Sequence, residues 1–316
     1  MKALFIILGI LAGLAILFIV LAAAFPYILF RFLFSRPSRS TKIPKYYVDT
    51  PHYKVSRAGM ALLKTLPSED VYITSRDGLK LHAYLFKAAN QENPKKFVLG
   101  IHGYKSYSRP EYAPYAEFYR SLGFTLLLPD DRAHAPSEGK YIGFGVLDRL
   151  DCVDWAKYLV KNYGEDIEIF LHGVSMGGST VIAASAEADL PKQVRGVIAD
   201  CAFSSAMEIV NYHLKETAHL PAKYIIPKLE KICEKKAGFN FHDYTPLEQI
   251  KKAKIPFLFV QGNKDTMVPP FMVHELYENC PTEKHLLLAE NAGHGESIAF
   301  EPDEYHREIK NLFRIE

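Results

Sequence analysis

Residues 3–25 form an apolar run without a single charge. As a helix rising about 1.5 Å per residue, the run reaches roughly 34 Å, enough to cross about 30 Å of hydrocarbon. No polar face interrupts it, so a buried helix of a soluble protein fits poorly. A cleavable leader is the second alternative, with Lys2 as its basic start and Ala22-Ala23-Ala24 as its small-residue site. Such leaders usually carry only about 7–15 apolar residues. The pattern predicts a membrane anchor over residues 1–30.

Beyond it, residues 31–67 read as a basic linker carrying Pro37, Pro44 and Pro51, with a short helix over 56–66. From residue 68 the pattern changes. Alternating runs at 69–74 and 79–86 flank Arg76-Asp77-Gly78, a strong hairpin signal. Apolar strands then recur at 97–101, 123–128, 167–171, 194–201, 255–261 and 285–289. Helical stretches fall at 115–121, 147–162, 179–188 and 303–313. Strands alternating with helices at this spacing imply βαβ units. The predicted fold class is α/β, one domain over 68–316 with a mostly parallel central sheet and helices on both faces. Residues 204–254 break the rhythm with charged residues around Tyr212, Tyr224, Ile225 and Ile226. They read as a small helical cap between the sixth and seventh core strands, or else as plain connecting helices.

Composition narrows the partners. A 48% apolar and 13% aromatic content supports a substantial core, and a net charge of +2 gives no electrostatic case for nucleic acid. Cys152, Cys201, Cys233 and Cys280 are scattered without metal-site spacing, so they read as reduced core residues. Neither a metal nor a cofactor is invoked. Lys2 stands alone before the apolar run, whereas Arg31, Arg36, Arg39, Lys42 and Lys45 follow it. The positive-inside rule then predicts a single-pass protein of the cell membrane whose large domain faces the cytoplasm, with membrane lipid as a partner.

The chemistry centres on Gly173-Val174-Ser175-Met176-Gly177-Gly178, between a predicted strand and a predicted helix. Gly-x-Ser-x-Gly there makes a sharp turn that lifts the serine hydroxyl clear of the backbone. In an open parallel sheet, reacting groups come from loops at the carboxyl ends of strands. Three other such loops carry His102-Gly103-Tyr104, Gly262-Asn263-Lys264-Asp265 and Ala292-Gly293-His294-Gly295. A serine needs an imidazole to take its proton, so His294 is the expected base, with Asp265 fixing its tautomer. The backbone N–H groups of Tyr104 and Met176 are the expected oxyanion donors, each typically worth about 3 kcal/mol. Asp200, at the end of its strand, is the rival acid. His102 and His172 each precede a Gly and are expected to order tight turns; Asp130 and Arg132 are expected to pair; His82 is expected to be packed or on the surface.

With these residues in place, the chain resembles the α/β-hydrolase superfamily from residue 68 to 313. Within it the chain is similar to membrane-anchored bacterial serine hydrolases of the serine-aminopeptidase and BEM46-like group. Besides the motifs above, Ser75-Arg76-Asp77-Gly78-Leu79-Lys80-Leu81 and Asp130-Asp131-Arg132-Ala133-His134-Ala135-Pro136-Ser137-Glu138-Gly139 carry the resemblance. It implies a Ser175–Asp265–His294 triad with Tyr104 and Met176 at the oxyanion. One departure is Arg132-Ala133-His134-Ala135, where the group usually reads Arg-Gly-His-Gly; alanine disfavours positive φ there.

The expected function is a serine hydrolase, first a carboxylic ester hydrolase acting on a small acyl-containing substrate through an acyl-enzyme on Ser175. An amidase or aminopeptidase with the same triad is the alternative. Capture of a free amine would need acidic groups in the cap, for which Glu208, Glu216, Glu230 and Glu234 are candidates among many lysines. A catalytically silent binding protein is the third reading.

Overall fold

The computed structural model describes residues 1–37, 50–88, 93–134 and 136–315. The predicted hairpin forms as β1 (Glu69–Thr74) and β2 (Lys80–Phe86), paired antiparallel from Glu69–Leu85 to Thr74–Lys80. The remaining strands are β3 (Lys96–Ile101), β4 (Thr125–Asp130), β5 (Glu168–Val174), β6 (Val194–Asp200), β7 (Phe257–Gly262) and β8 (Lys284–Ala289). They make one sheet in the order 1-2-4-3-5-6-7-8, with β2 antiparallel to β4 and every later pair parallel. The chain adds β4 on one side of β3 and β5 on the other. That reversal is a topological switch point, where a crevice opens at the carboxyl ends of strands.

Helices α1 (Lys2–Phe34), α2 (Pro51–Thr65), α3 (Ser108–Ser121), α4 (Asp148–Tyr163) and α5 (Met176–Ser185) precede β6. Helices α6 (Ala206–Tyr212), α7 (Ala222–Ala237) and α8 (Pro246–Ile250) lie between β6 and β7, and α9 (Pro270–Asn279), α10 (Ser297–Phe300) and α11 (Pro302–Phe313) follow. One face of the sheet is covered by α4, α5 and α9 around Trp155, Val181 and Leu276; the other is covered by α2, α3 and α11 around Leu63, Tyr119 and Leu312. Helix α3 begins well before the expected 115–121, with Pro114 in its interior. Proline leaves the carbonyl four residues back without its helical donor. Ser56 Oγ of α2 takes that carbonyl, Pro110 O, at 3.4 Å. The pattern gives no helix between β7 and β8, yet α9 forms from Pro270 at its first position, where a fixed φ suits a helix start.

The stretch after β6 is the helical cap: α6, a π-helical turn over His213–Thr217, α7 and α8. It does not rest on the sheet alone. A third core joins its Val210, Leu229 and Phe241 to Phe144, Met176 and the last turns of α1 through Phe30 and Phe34. Helix α1 thus runs past residue 30 to Phe34, and Arg36 N–H donates to Lys140 O and Ile142 N–H to Phe34 O. Arg39, Lys42, Pro44 and Lys45 lie outside the described residues.

A Cβ on Gly177 would stand 1.9 Å from Ile101 O, whereas one on Gly9 would meet nothing within 4 Å. We expect full-length Gly177→Ala in detergent to lose its cooperative unfolding transition by circular dichroism, and Gly9→Ala to keep it.

Candidate active site

Four loops converge above the carboxyl ends of β3, β5, β7 and β8. Ser175 is the single residue between β5 and α5, at φ 58°, ψ −119°, and caps the helix start. A non-glycine residue in this region carries roughly 1–3 kcal/mol of strain and persists only when its surroundings over-determine it. Here they do. Its N–H donates to Asp200 O at 2.8 Å, and α5 packs so closely on β5 that a Cβ on Gly173 would fall 2.1 Å from Gly177 O.

His294 Nε2 lies 2.8 Å from Ser175 Oγ, and its Nδ1 lies 2.7 Å from Asp265 Oδ2. Asp265 is itself held on all sides: Oδ1 accepts the N–H groups of Met267 and Val268, both at 2.8 Å, and Oδ2 also accepts Gln261 Nε2 at 2.9 Å. The two loops are stitched together by Lys264 N–H to Ala292 O and Asn291 N–H to Asn263 Oδ1. With a carboxylate at Nδ1, the imidazole keeps its proton there and offers Nε2 as the acceptor for the serine hydroxyl. Burial opposes protonation of His294, but the hydrogen bond and charge of Asp265, with Glu111 and Asp200 behind it, outweigh that and raise its pKa above 6.5.

The rival acid is engaged elsewhere. Asp200 Oδ2 accepts Tyr305 Oη at 2.9 Å and Tyr115 Oη at 3.2 Å, and burial pushes its carboxyl up to about 6. His172 is corrected in place: it lies inside β5, not in a turn, because Gly173 continues the strand before the chain bends at Ser175. Its ring sits between Tyr119 Oη at 2.8 Å and Tyr305 Oη at 3.2 Å, and burial lowers its pKa to about 3, leaving it neutral. His102 does order its loop. Nδ1 donates to Gly103 O at 2.8 Å, Nε2 accepts Asp131 N–H at 3.0 Å, and Ser106 N–H also donates to Gly103 O. In a trans peptide the N–H points opposite to the C=O, so fixing Gly103 O also fixes the Tyr104 N–H. That peptide borders the serine: a Cβ on Gly103 would be 3.2 Å from Ser175 Cβ.

Asp130 and Arg132 are not partners. Asp130 faces His82 across the β2–β4 pair and binds its Nδ1 at 2.8 Å and Ser108 Oγ at 2.9 Å. Arg132, two residues on in a turn, reaches Asp151 at 2.7 and 2.8 Å and Asp77 at 3.0 and 3.2 Å. Both order the framework, and His82 is buried between Asp130 and Asp70. Ala133 takes φ 62° despite its Cβ, held by its N–H to Glu138 O; Ala135 lies outside the described residues.

A cavity of about 350 Å³ opens beside the serine, with Ser175 and His294 on its floor. Its walls are nearly all apolar: Tyr104, Phe144, Met176 and Phe203 from the domain, Ile209, Val210 and Leu214 from the cap, Leu29, Phe32 and Leu33 from α1. All four cysteines are free and buried. Cys201 Sγ is 4.0 Å from His294 Nε2, but burial pushes its thiol far up, so it stays protonated while Asp265 and His294 are held by each other.

A model of the prolyl oligopeptidase family (Peptidase_S9) matches residues 145–313, more than half of the chain and all of Ser175, Asp265 and His294. The chain belongs to the prolyl oligopeptidase family. This family member is 28% identical over 198 residues to YqkD of Bacillus subtilis, covering 63% of this chain and 65% of that protein, just under two thirds of its length. It is 27% identical over 240 residues to the membrane protein YNL320W of Saccharomyces cerevisiae (75% and 72% covered) and 22% identical over 219 residues to bem46 of Schizosaccharomyces pombe (68% and 67% covered). Among solved structures it resembles the Pyrococcus furiosus esterase Pf2001 at a TM-score of 0.64 and 25% identity, with 89% of this chain and 97% of that chain covered. The prolyl oligopeptidase family member thus has an α/β-hydrolase fold and is similar to bem46 and YNL320W.

Sequence reasoning missed several residues of this family member's site. Glu111 accepts Ser106 Oγ–H behind the Gly103 peptide, and burial pushes its carboxyl up. It sits early in α3, a helix whose start the pattern misses. Leu29, Phe32 and Leu33 had a signal in the sequence: the apolar run continues beyond what a bilayer needs, with Pro26, Phe30 and Phe34 four residues apart.

Removing the Asp265 charge takes away the main influence that raises the His294 pKa. By NMR titration of full-length protein, we expect the His294 pKa to lie above 6.5, to fall clearly in Asp265→Asn, and to move far less in Asp200→Asn.

Proposed function

We propose that this protein is a serine hydrolase acting on carboxylic esters. Ser175 Oγ attacks the substrate carbonyl while His294 Nε2 takes its proton, giving a tetrahedral intermediate. The N–H groups of Met176, at the open end of α5, and of Tyr104 stabilise its oxyanion. Collapse expels the alcohol, which leaves with the proton from His294. Water then enters by the same route, hydrolyses the acyl-enzyme and restores Ser175. Asp265 holds the imidazole tautomer and balances its positive charge.

The observation that carries the ester reading is the cavity beside Ser175, walled by aliphatic and aromatic side chains. Such a wall suits an acyl chain. A peptidase that captures a free amine needs carboxylates there, and Glu208, Glu216, Glu230 and Glu234 are not among its lining residues. Glu230 instead binds His242 at 2.8 Å. The family match favours amide hydrolysis as the second reading. Helix α1, long and apolar enough to cross a membrane, serves as a single-span anchor in this proposal. The basic residues after it favour a cytoplasmic domain.

A fluorophosphonate probe should label the full-length protein in detergent and leave Ser175→Ala unlabelled; persistent labelling of the variant removes Ser175 as nucleophile. Run beside aminoacyl-naphthylamides, p-nitrophenyl esters should dominate. Their kcat/KM should climb with chain length by up to about 4-fold per methylene until the cavity is filled. Faster turnover of the naphthylamides would replace the ester reading with the amide one.

A further inference from the structure

Helix α1 is longer than a bilayer requires. Its apolar stretch Leu4–Phe34 has 31 residues, roughly 46 Å at about 1.5 Å per residue, against about 30 Å of hydrocarbon. The surplus of roughly 11 residues coincides with a change of surroundings. Up to Ala23 the described side chains of α1 are exposed; from there Pro26, Phe30 and Phe34 are buried, and Leu29 and Leu33 half-buried. These positions fall on one helical stripe, which packs on the cap and lines the cavity.

A simple tether would need none of this. Instead Tyr104 Oη donates to Leu33 O and Lys105 Nζ to Phe32 O, both at 2.7 Å, satisfying two of the last carbonyls of α1. Tyr104 follows Gly103, where an added Cβ would lie 3.2 Å from Ser175 Cβ, so the helix end is tied to the loop that borders the serine. The exposed lining residues mark the opening: Phe32 on α1, Thr217 and Ala218 on the cap, and Met267. From the bilayer side, Leu21, Phe25, Ile28 and Phe32 follow one another at i, i+4, i+7 and i+11, an apolar stripe that ends at that opening. Leu29 and Leu33 stand roughly 9–15 Å beyond the hydrocarbon edge if it falls near Ala23.

We infer that the end of α1 is a wall of the substrate site, with Leu29 and Leu33 as specificity-determining residues, and that the substrate is the acyl chain of an amphiphile drawn along α1 from the membrane it crosses. The hydrolytic step rests on the reading of Ser175 as nucleophile; the binding step does not.

Two arms on full-length protein separate them. In detergent, Leu33→Trp should lower the decanoate-to-acetate ratio of kcat/KM for p-nitrophenyl esters by roughly 15-fold, about two methylenes of burial. Leu33→Ala should move the chain-length optimum to longer esters, and Leu17→Trp, on the exposed span, should change neither. In phosphatidylcholine liposomes, Ser175→Ala with a diazirine-bearing palmitate should acquire photolabel on the cap peptide 206–218, and adding Leu33→Trp should remove most of it. An unchanged ester ratio in both Leu33 variants, or cap labelling indifferent to Leu33→Trp, overturns the inference. If wild-type protein turns over no ester while the labelling responds to Leu33→Trp, the lipid site stands and the nucleophile reading falls.

Discussion

The approach of α5 to the strands beneath it is the constraint from which the site follows. At Gly173 and Gly177, backbone lies where a side chain would otherwise be, with Gly177 O and Ile101 O about 2 Å from the positions their Cβ atoms would take. Only that contact lets the chain reverse within one residue, and the reversal leaves Ser175 in a backbone conformation few side chains tolerate. The same contact brings the start of α5, with its unsatisfied N–H groups, beside the loop that follows β3. The position of Ser175 and that of the first N–H groups of α5 are consequences of one packing event.

Around it, hydrogen bonding removes the remaining freedom. Asp265 cannot turn away from His294, because two backbone N–H groups and Gln261 hold its oxygens. His102 holds the Gly103 peptide in the same manner from below. A further layer of tyrosines keeps Asp200 and His172 occupied behind the site, so that one carboxylate rather than two meets the imidazole. Preorganisation of this kind is what makes a polar cluster effective in a poorly hydrated setting.

The third core gives the molecule its particular character. Phe30 and Phe34 of α1 are buried in one cluster with Val210, Leu229 and Phe241 of the cap. Burying two phenylalanines contributes on the order of several kcal/mol, enough to hold the end of α1 in place. The long apolar helix is therefore also part of the cavity wall.

Much of this was legible in the chain. Apolar periods and glycine punctuation gave the strands, the hairpin at Asp77-Gly78 and the turn at Ser175, since these depend on neighbours a few residues away. The order of Ser175, Asp265 and His294 along the chain indicated which loops to join. What pattern could not give was partner choice. Asp130 and Arg132 are close in sequence yet bind opposite neighbours, because one side chain leaves along the β2–β4 pair and the other reaches α4. Asp200 and Asp265 are alike as residues, and their partners distinguish them: tyrosines from α3 and α11 for Asp200, Gln261 and two backbone N–H groups for Asp265. An apolar run reads the same whether it faces lipid or a cap, so sequence determined that α1 is apolar and long. Which of its turns belongs to the protein interior was decided by the tertiary structure, because burial depends on surfaces brought together from distant parts of the chain.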